Sequence, residues 1–140
     1  MILGMMPFLK GINMVATDIF WVGLGGGTGS LLRWWVGLAV SKLYRGHFPL
    51  GTFLINVSGA LIIGYLSALF GIDWRERYGE WLNAGLLTGV LGGYTTFSSM
   101  QLDAANLAHA HQRLLASGYL IVSVVTGVAA AACGAWLACP

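Results

Sequence analysis

Charge is scarce in this 140-residue chain: seven Lys/Arg and five Asp/Glu make up 9% of it, against about 25% in an ordinary soluble domain. With a mean hydropathy of +0.76, a soluble monomer is not expected. The basic residues are scattered between apolar runs, with no Lys/Arg block to neutralise a row of phosphates, so no nucleic-acid partner is expected. The only two cysteines, Cys133 and Cys139, stand six residues apart. That spacing puts them on different faces of a helix, suits neither a disulfide nor a four-ligand metal site, and leaves both as small apolar residues. The three histidines fall in polar connectors, and His109 and His111 lack a third metal ligand, so no site is assigned to them. No nucleophile, base and orienting group can be assembled, and the expectation is a non-enzyme.

Long apolar runs fill the space that charge leaves. Between Arg45 and Asp73 lie 27 residues without Lys, Arg, Asp or Glu, between Glu80 and Asp103 another 22, and Leu114–Pro140 is a further 27. Ile19–Val40 is interrupted only by Arg33. Each run is long enough to cross a bilayer, which predicts an all-α membrane protein of four transmembrane helices. Residues 1–18 read as an uncleaved N-terminal extension, because no short apolar core with a small-x-small site stands apart from the first helix. Residues 19–140 form the transmembrane domain. Trp74 and Trp81 flank a mixed-charge connector at the depth of an aromatic belt. The polar stretch Asp103–Arg113 is expected to leave the membrane.

Glycine is the most informative residue. Gly23/Gly27 and Gly25/Gly29 have the small-xxx-small spacing that lets helices approach closely. The segment GLGGGTGS matches neither nucleotide-loop pattern, and no strand precedes it. Gly85, Gly89 and Gly93 repeat at i, i+4, i+8 until Gly92-Gly93-Tyr94-Thr95-Thr96. Adjacent glycines followed by two β-branched residues are poor helix formers, and a helical pattern resumes at Phe97. A discontinuous third helix follows. Carbonyls freed in hydrocarbon cost several kcal/mol each unless protein, water or a cation satisfies them, so a break at mid-membrane points to a functional site.

Several polar residues gather around that break. Thr96, Ser99 and Asp103 at i, i+3, i+7 line one helix face. Asn56 sits in the apolar second helix, where its amide needs partners, either as glue to a neighbouring helix or as a donor to an anion. Arg33 either snorkels to the nearby loop or supplies positive potential to an anion path. Phe97 and Met100 are packing residues by default, although an aromatic edge is positive and suits a small anion. Tyr119 is a hydroxyl donor or an interface anchor, and Ser123 and Thr126 are equally open. With four helices the loop cations divide evenly, Lys10, Arg75 and Arg77 on one side and Lys42, Arg45 and Arg113 on the other. Insertion bias is then weak, which permits an antiparallel dimer of identical chains.

Over Phe20 to Leu137 the sequence resembles the small bacterial fluoride channels called Fluc or CrcB. Gly92-Gly93-Tyr94-Thr95-Thr96-Phe97-Ser98 is close to that family's GGxTTFS signature, supported by GGGTGSLLRW at Gly25–Trp34 and PLGTFLINVSG at Pro49–Gly59. The resemblance implies an antiparallel, dual-topology homodimer in the bacterial inner membrane, among lipid, exporting cytoplasmic fluoride by passive conduction. It implies a structural sodium ion at the third-helix break, held by the backbone carbonyls of Gly92 and Thr95. It assigns Arg33, Asn56, Phe97 and Tyr119 to the fluoride pathway, with Ser98, Ser99 and Asp103 on its polar track. Two positions depart from the pattern. Met100 stands where a second phenylalanine is usual and would narrow or fill the same space, and Gly127 replaces a fourth-helix serine, with Thr126 as the neighbouring hydroxyl. The alternative is a small dual-topology drug or cation-proton exporter, which needs a carboxylate deep in the membrane. Asp18, Asp73, Glu76, Glu80 and Asp103 all lie at or toward helix ends. A non-transporting scaffold would explain the glycines but not the break.

Overall fold

The computed structural model describes the backbone of residues 6–70 and 83–138 and the side chains of 16–69 and 85–138. Within these residues the chain is helical, and its elements form four helices, the third of them interrupted. Helix α1 (Met6–Leu43) has 38 residues and is therefore about 57 Å long. It begins inside the N-terminal segment and runs past residue 18 without a break. Helix α2 spans Leu50–Phe70, α3 consists of Asn83–Leu91, wound with the wide turns of a π-helix, followed by one α turn at Gly92–Tyr94, α4 spans Phe97–His109 and α5 spans Arg113–Ala138. The connector expected between α2 and α3, with Asp73, Arg75, Glu76, Arg77, Glu80, Trp74 and Trp81, lies outside the described residues.

Leu50–Leu69 and Arg113–Ala138 are each long and apolar enough to cross a membrane. Only 11% and 17% of their most apolar stretches are buried within the protomer, unlike the core helix of a soluble protein. The outward surface is correspondingly apolar, with Trp35, Leu114, Val128 and Trp136 mostly exposed. Helix α1 is long enough to cross, but glycine and Arg33 dilute its hydropathy, and the third crossing is divided by the break.

Glycine sets how the helices meet. A Cβ on Gly25 would run into the Gly85 carbonyl, one on Gly29 into the Val90 carbonyl, and one on Gly93 into the Gly26 carbonyl. Helices α1 and α3 therefore touch backbone to backbone. Of the two spacings in α1 only Gly25/Gly29 is used in this way, since Gly23 and Gly27 have open space beside them. Helix α5 packs along α2 in the same manner, Gly64 against the Ala131 carbonyl and Gly134 against the Leu61 carbonyl. A small side-chain core of Met100, Ala104, Leu107, Ala116 and Tyr119 joins α4 to α5. Phe48 closes it with its ring edge-on to Tyr119, centroids 5.3 Å apart.

The polar stretch after Asp103 is more ordered than its composition suggests. It continues as α4 through His109 with Ala104 and Leu107 buried, because its apolar residues share one face. The turn to α5 is tight: His111 N–H donates to the Ala108 carbonyl at 3.1 Å and Gln112 N–H to the Leu107 carbonyl at 2.9 Å. These are the two bonds of a Schellman motif, and His111 takes the left-handed position usually given to glycine, at φ 60°.

Gly134→Ala should lower the unfolding midpoint in detergent micelles, at a cost of about 1–3 kcal/mol from overpacking. Gly118→Ala, with open space beside it, should instead gain up to about 1 kcal/mol from helix propensity. Equal effects at the two positions would refute the crossing.

Candidate functional site

The helix breaks at Thr95–Thr96, two residues later than the glycines suggest. Gly92–Tyr94 still makes an α turn, because glycine is only a weak helix former and the Thr95 N–H still reaches the Leu91 carbonyl at 3.0 Å. Thr95 then turns extended at ψ 157° and Thr96 follows at φ −152°, ψ 112°. The cause is Asn56 on α2. Thr96 N–H donates to Asn56 Oδ1 at 2.8 Å, and Asn56 Nδ2 donates to the Thr96 carbonyl at 3.0 Å. One amide side chain thus pairs with both backbone groups of a single extended residue, as a neighbouring β-strand would. Of the two roles open to Asn56, interhelical glue is realised, and one of its two amide protons remains uncommitted.

The capture of the Thr96 N–H has a second effect. The Gly92 carbonyl loses its i+4 donor, and the would-be Cβ position of Gly92 is open. On the other side, Arg33 Nη1 donates to the Thr95 carbonyl at 3.4 Å. The guanidinium therefore points inward at the break and does not simply reach for the loop.

Thr96 is buried and caps α4. Its Oγ1 accepts from Ser99 N–H at 3.1 Å and donates to Ser99 Oγ at 3.0 Å. With its one proton so placed, Thr96 accepts from Ser98 Oγ at 3.3 Å, and the Ser99 hydroxyl proton is left for another acceptor. Asp103, one turn further, accepts at Oδ2 from Thr52 Oγ1 at 2.6 Å.

Two open cavities meet at Thr96, which lines both. The first, about 510 Å³, is lined by Ser30, Arg33, Thr52, Ser99 and Asp103. The second, about 620 Å³, is more apolar and is lined by Asn56, Gly92, Thr95, Phe97, Met100 and Ser123. Phe97 is 69% exposed on the second, whereas Met100 is buried in the α4–α5 core. The adjacent residues Phe97 and Ser98 are both exposed, while Tyr119 is fully buried against Phe48 and is not among the lining residues of either cavity. The structure thus gathers Arg33, Asn56, Thr95, Thr96, Ser99 and Asp103 around the break.

Two residues of this site, Thr52 and Ser30, were not singled out by the sequence, and a third, Ser123, was left open. Thr52 holds Asp103, and its i, i+4 relation to Asn56 on α2 was the available signal. Ser123 is buried with its hydroxyl unpartnered, as is that of Tyr119 four residues earlier, again a helical spacing. Ser30 has no pattern that marks it. Among the described residues no group of three or more His, Cys, Asp or Glu could hold a metal ion.

An interrupted membrane helix, its N-terminal half-helix end capped by hydroxyls and its carbonyls turned aside, is an arrangement that handles small ions. The model of the CrcB-like family, described as camphor resistance (CrcB), matches residues 20–135. The chain belongs to this family. A protein of Yersinia pseudotuberculosis serotype I, named fluoride-specific ion channel FluC 2, is 70% identical over 125 residues, covering 89% of this chain and 99% of the relative. A Brucella suis protein with the same name is 63% identical over 125 residues, covering 89% and 97%. Fluoride-specific ion channel FluC 1 of Nitrobacter hamburgensis is 39% identical over 118 residues, covering 84% and 92%. All three names describe channels, a non-enzymatic activity.

Asn56→Ala strands both backbone groups of Thr96, each worth about 1–3 kcal/mol when buried without a partner. The variant should unfold at lower denaturant in micelles, and the loss should exceed that of Thr52→Val. A smaller loss at Asn56 than at Thr52 would contradict its place at the break.

Proposed function

We propose that this chain is a fluoride-specific channel that lets cytoplasmic fluoride leave the cell passively and so lowers its toxicity. The supporting observation is the break itself, bracketed by donors, in a chain up to 70% identical to relatives named fluoride-specific ion channels. Fluoride enters acidified surroundings' cells as neutral HF, ionises in the more alkaline cytoplasm, and needs only a conductive route out. The N-terminal end of α4 carries the positive end of its helix dipole. The spare amide proton of Asn56, the free proton of Ser99 and the guanidinium of Arg33 add donors on both sides of Thr96. Together these groups replace part of a tightly held hydration shell, and buried Thr96, which lines both cavities, leaves little room there for larger anions.

The working unit is an antiparallel, dual-topology homodimer in the bacterial inner membrane, with lipid against its outer face. An exposed Phe97 on an apolar cavity and the even division of loop cations support a second copy there. A structural sodium ion belongs at the break, on the carbonyls of Gly92, deprived of its helical donor, and Thr95, whose oxygen keeps a second lone pair beside its contact with Arg33. Bound there, it would supply positive charge to carbonyls that hydrocarbon cannot solvate. The proton-coupled exporter has less support, since the described carboxylate nearest the break, Asp103, is engaged by Thr52.

In liposomes, the purified protein should release fluoride to a fluoride electrode and retain chloride. Asn56→Ala should slow that release by about 5-fold to 150-fold if the lost pairing is felt in full. Trapped fluoride in folded protein would overturn the assignment. Replacing sodium with potassium should also slow release, and an unchanged rate would remove sodium from the site. Tags on the C-terminus should be accessible from both faces of the membrane in about equal amounts, whereas one-sided labelling would exclude dual topology.

A further inference from the structure

Asn56 is not the only residue that ties the break to α2. Tyr94, the last residue of α3, places its hydroxyl 3.0 Å from Ser58 Oγ. Ser58 Oγ donates to the Ile55 carbonyl at 3.1 Å. A hydroxyl has one proton, so Ser58 is committed to Ile55 and Tyr94 must be the donor to Ser58. Between the two pins stands Gly59, where a Cβ would run into Thr95 Cγ2 and lie 3.5 Å from Tyr94 Cδ1. Consecutive residues of the break, Tyr94, Thr95 and Thr96, are thus received by Ser58, Gly59 and Asn56.

The two bonds differ in which side of the break they hold. Asn56 grips Thr96, the cap of α4. Tyr94 belongs to α3, and among the described residues its bond is the only side-chain hydrogen bond between α3 and α2. Helix α3 otherwise packs chiefly on α1. Thr95 links them: its N–H and its Oγ1 both bond the Leu91 carbonyl of α3, at 3.0 and 2.9 Å, so the direction of its own carbonyl follows how α3 is placed against α4. From this geometry we infer that Tyr94 and Ser58 are positioning residues for the ion path. Their bond sets the angle between α3 and α4, and with it the relative placement of Gly92 and Thr95 on one side and Thr96 and Phe97 on the other. Neither residue touches the permeating ion. This inference rests on the proposed channel function.

The test uses the full chain in liposomes as the parent, Tyr94→Phe, Ser58→Ala, the double variant and Ser58→Thr. Tyr94→Phe keeps the ring against Gly59 and removes only the donor. Each of the first two changes should lower fluoride release about fivefold, the effect of one lost hydrogen bond of ordinary strength. The double variant should fall no further than the lower single, and Ser58→Thr, which keeps the hydroxyl, should stay near the parent. Hydrogen exchange should show lost protection at the Thr95 and Thr96 amides in both singles and none at the α2–α5 crossing. Release within about twofold of the parent in folded singles, or a double variant that falls by the product of the two, would overturn the inference. If Tyr94→Phe does not fold, Ser58→Ala with Ser58→Thr decides alone. A parent that passes no fluoride sinks the channel assignment instead, and the exchange pattern then still decides whether the bond positions the break.

Discussion

The peptide between Thr95 and Thr96 stands outside the helical ladder, and most of the site follows from how it is satisfied. A trans peptide is planar, with its N–H and C=O pointing in opposite directions. When Asn56 draws the Thr96 N–H toward α2, the Thr95 carbonyl is aimed away from α2, which is where Arg33 meets it. The same capture releases the Gly92 carbonyl from its helical bond. A single amide side chain therefore interrupts the helix, pairs the interruption and turns carbonyls outward.

The interruption also sorts charge. At one end the first amides of α4 and the Ser99 hydroxyl present protons, and at the other the last carbonyls of α3 present lone pairs. Donors and acceptors thus lie a few residues apart, the general advantage of a broken membrane helix. Arg33 and Asp103 line the polar cavity together, and Thr52 orients the carboxylate by donating to its Oδ2.

Much of this could be read from residues alone, for a physical reason. Hydrocarbon tolerates few polar groups, so Asn56, Arg33 and the Thr96/Ser99/Asp103 stripe stood out against an apolar background. Less legible was whatever depended on the third dimension. Gly23/Gly27 and Gly25/Gly29 have the same spacing, and only the direction in which α3 approaches decides that the second pair is used. Within the segment Gly92–Thr96 expected to break, the interruption narrows to Thr95–Thr96 because Asn56 on another helix takes the backbone groups there. The stretch from Asp103 to Arg113 is polar by count but helical by the placement of Ala104 and Leu107. The burial of the Tyr119 ring against Phe48 in the α4–α5 core likewise had no mark in the sequence.

The glycine crossings impose a limit on motion. Where Gly25, Gly29 and Gly93 bring α1 and α3 together, there are no long side chains to change rotamer and absorb a slide. Displacing one helix along the other would drive carbonyls into the facing backbone before anything softer yielded. The same holds between α2 and α5 at Gly64 and Gly134. Sliding along these crossings is therefore resisted by backbone contact, and the softer adjustments are rotamer changes of side chains such as Phe97 and Arg33. Such changes take picoseconds to nanoseconds when exposed, against the microseconds to milliseconds of collective helix motions.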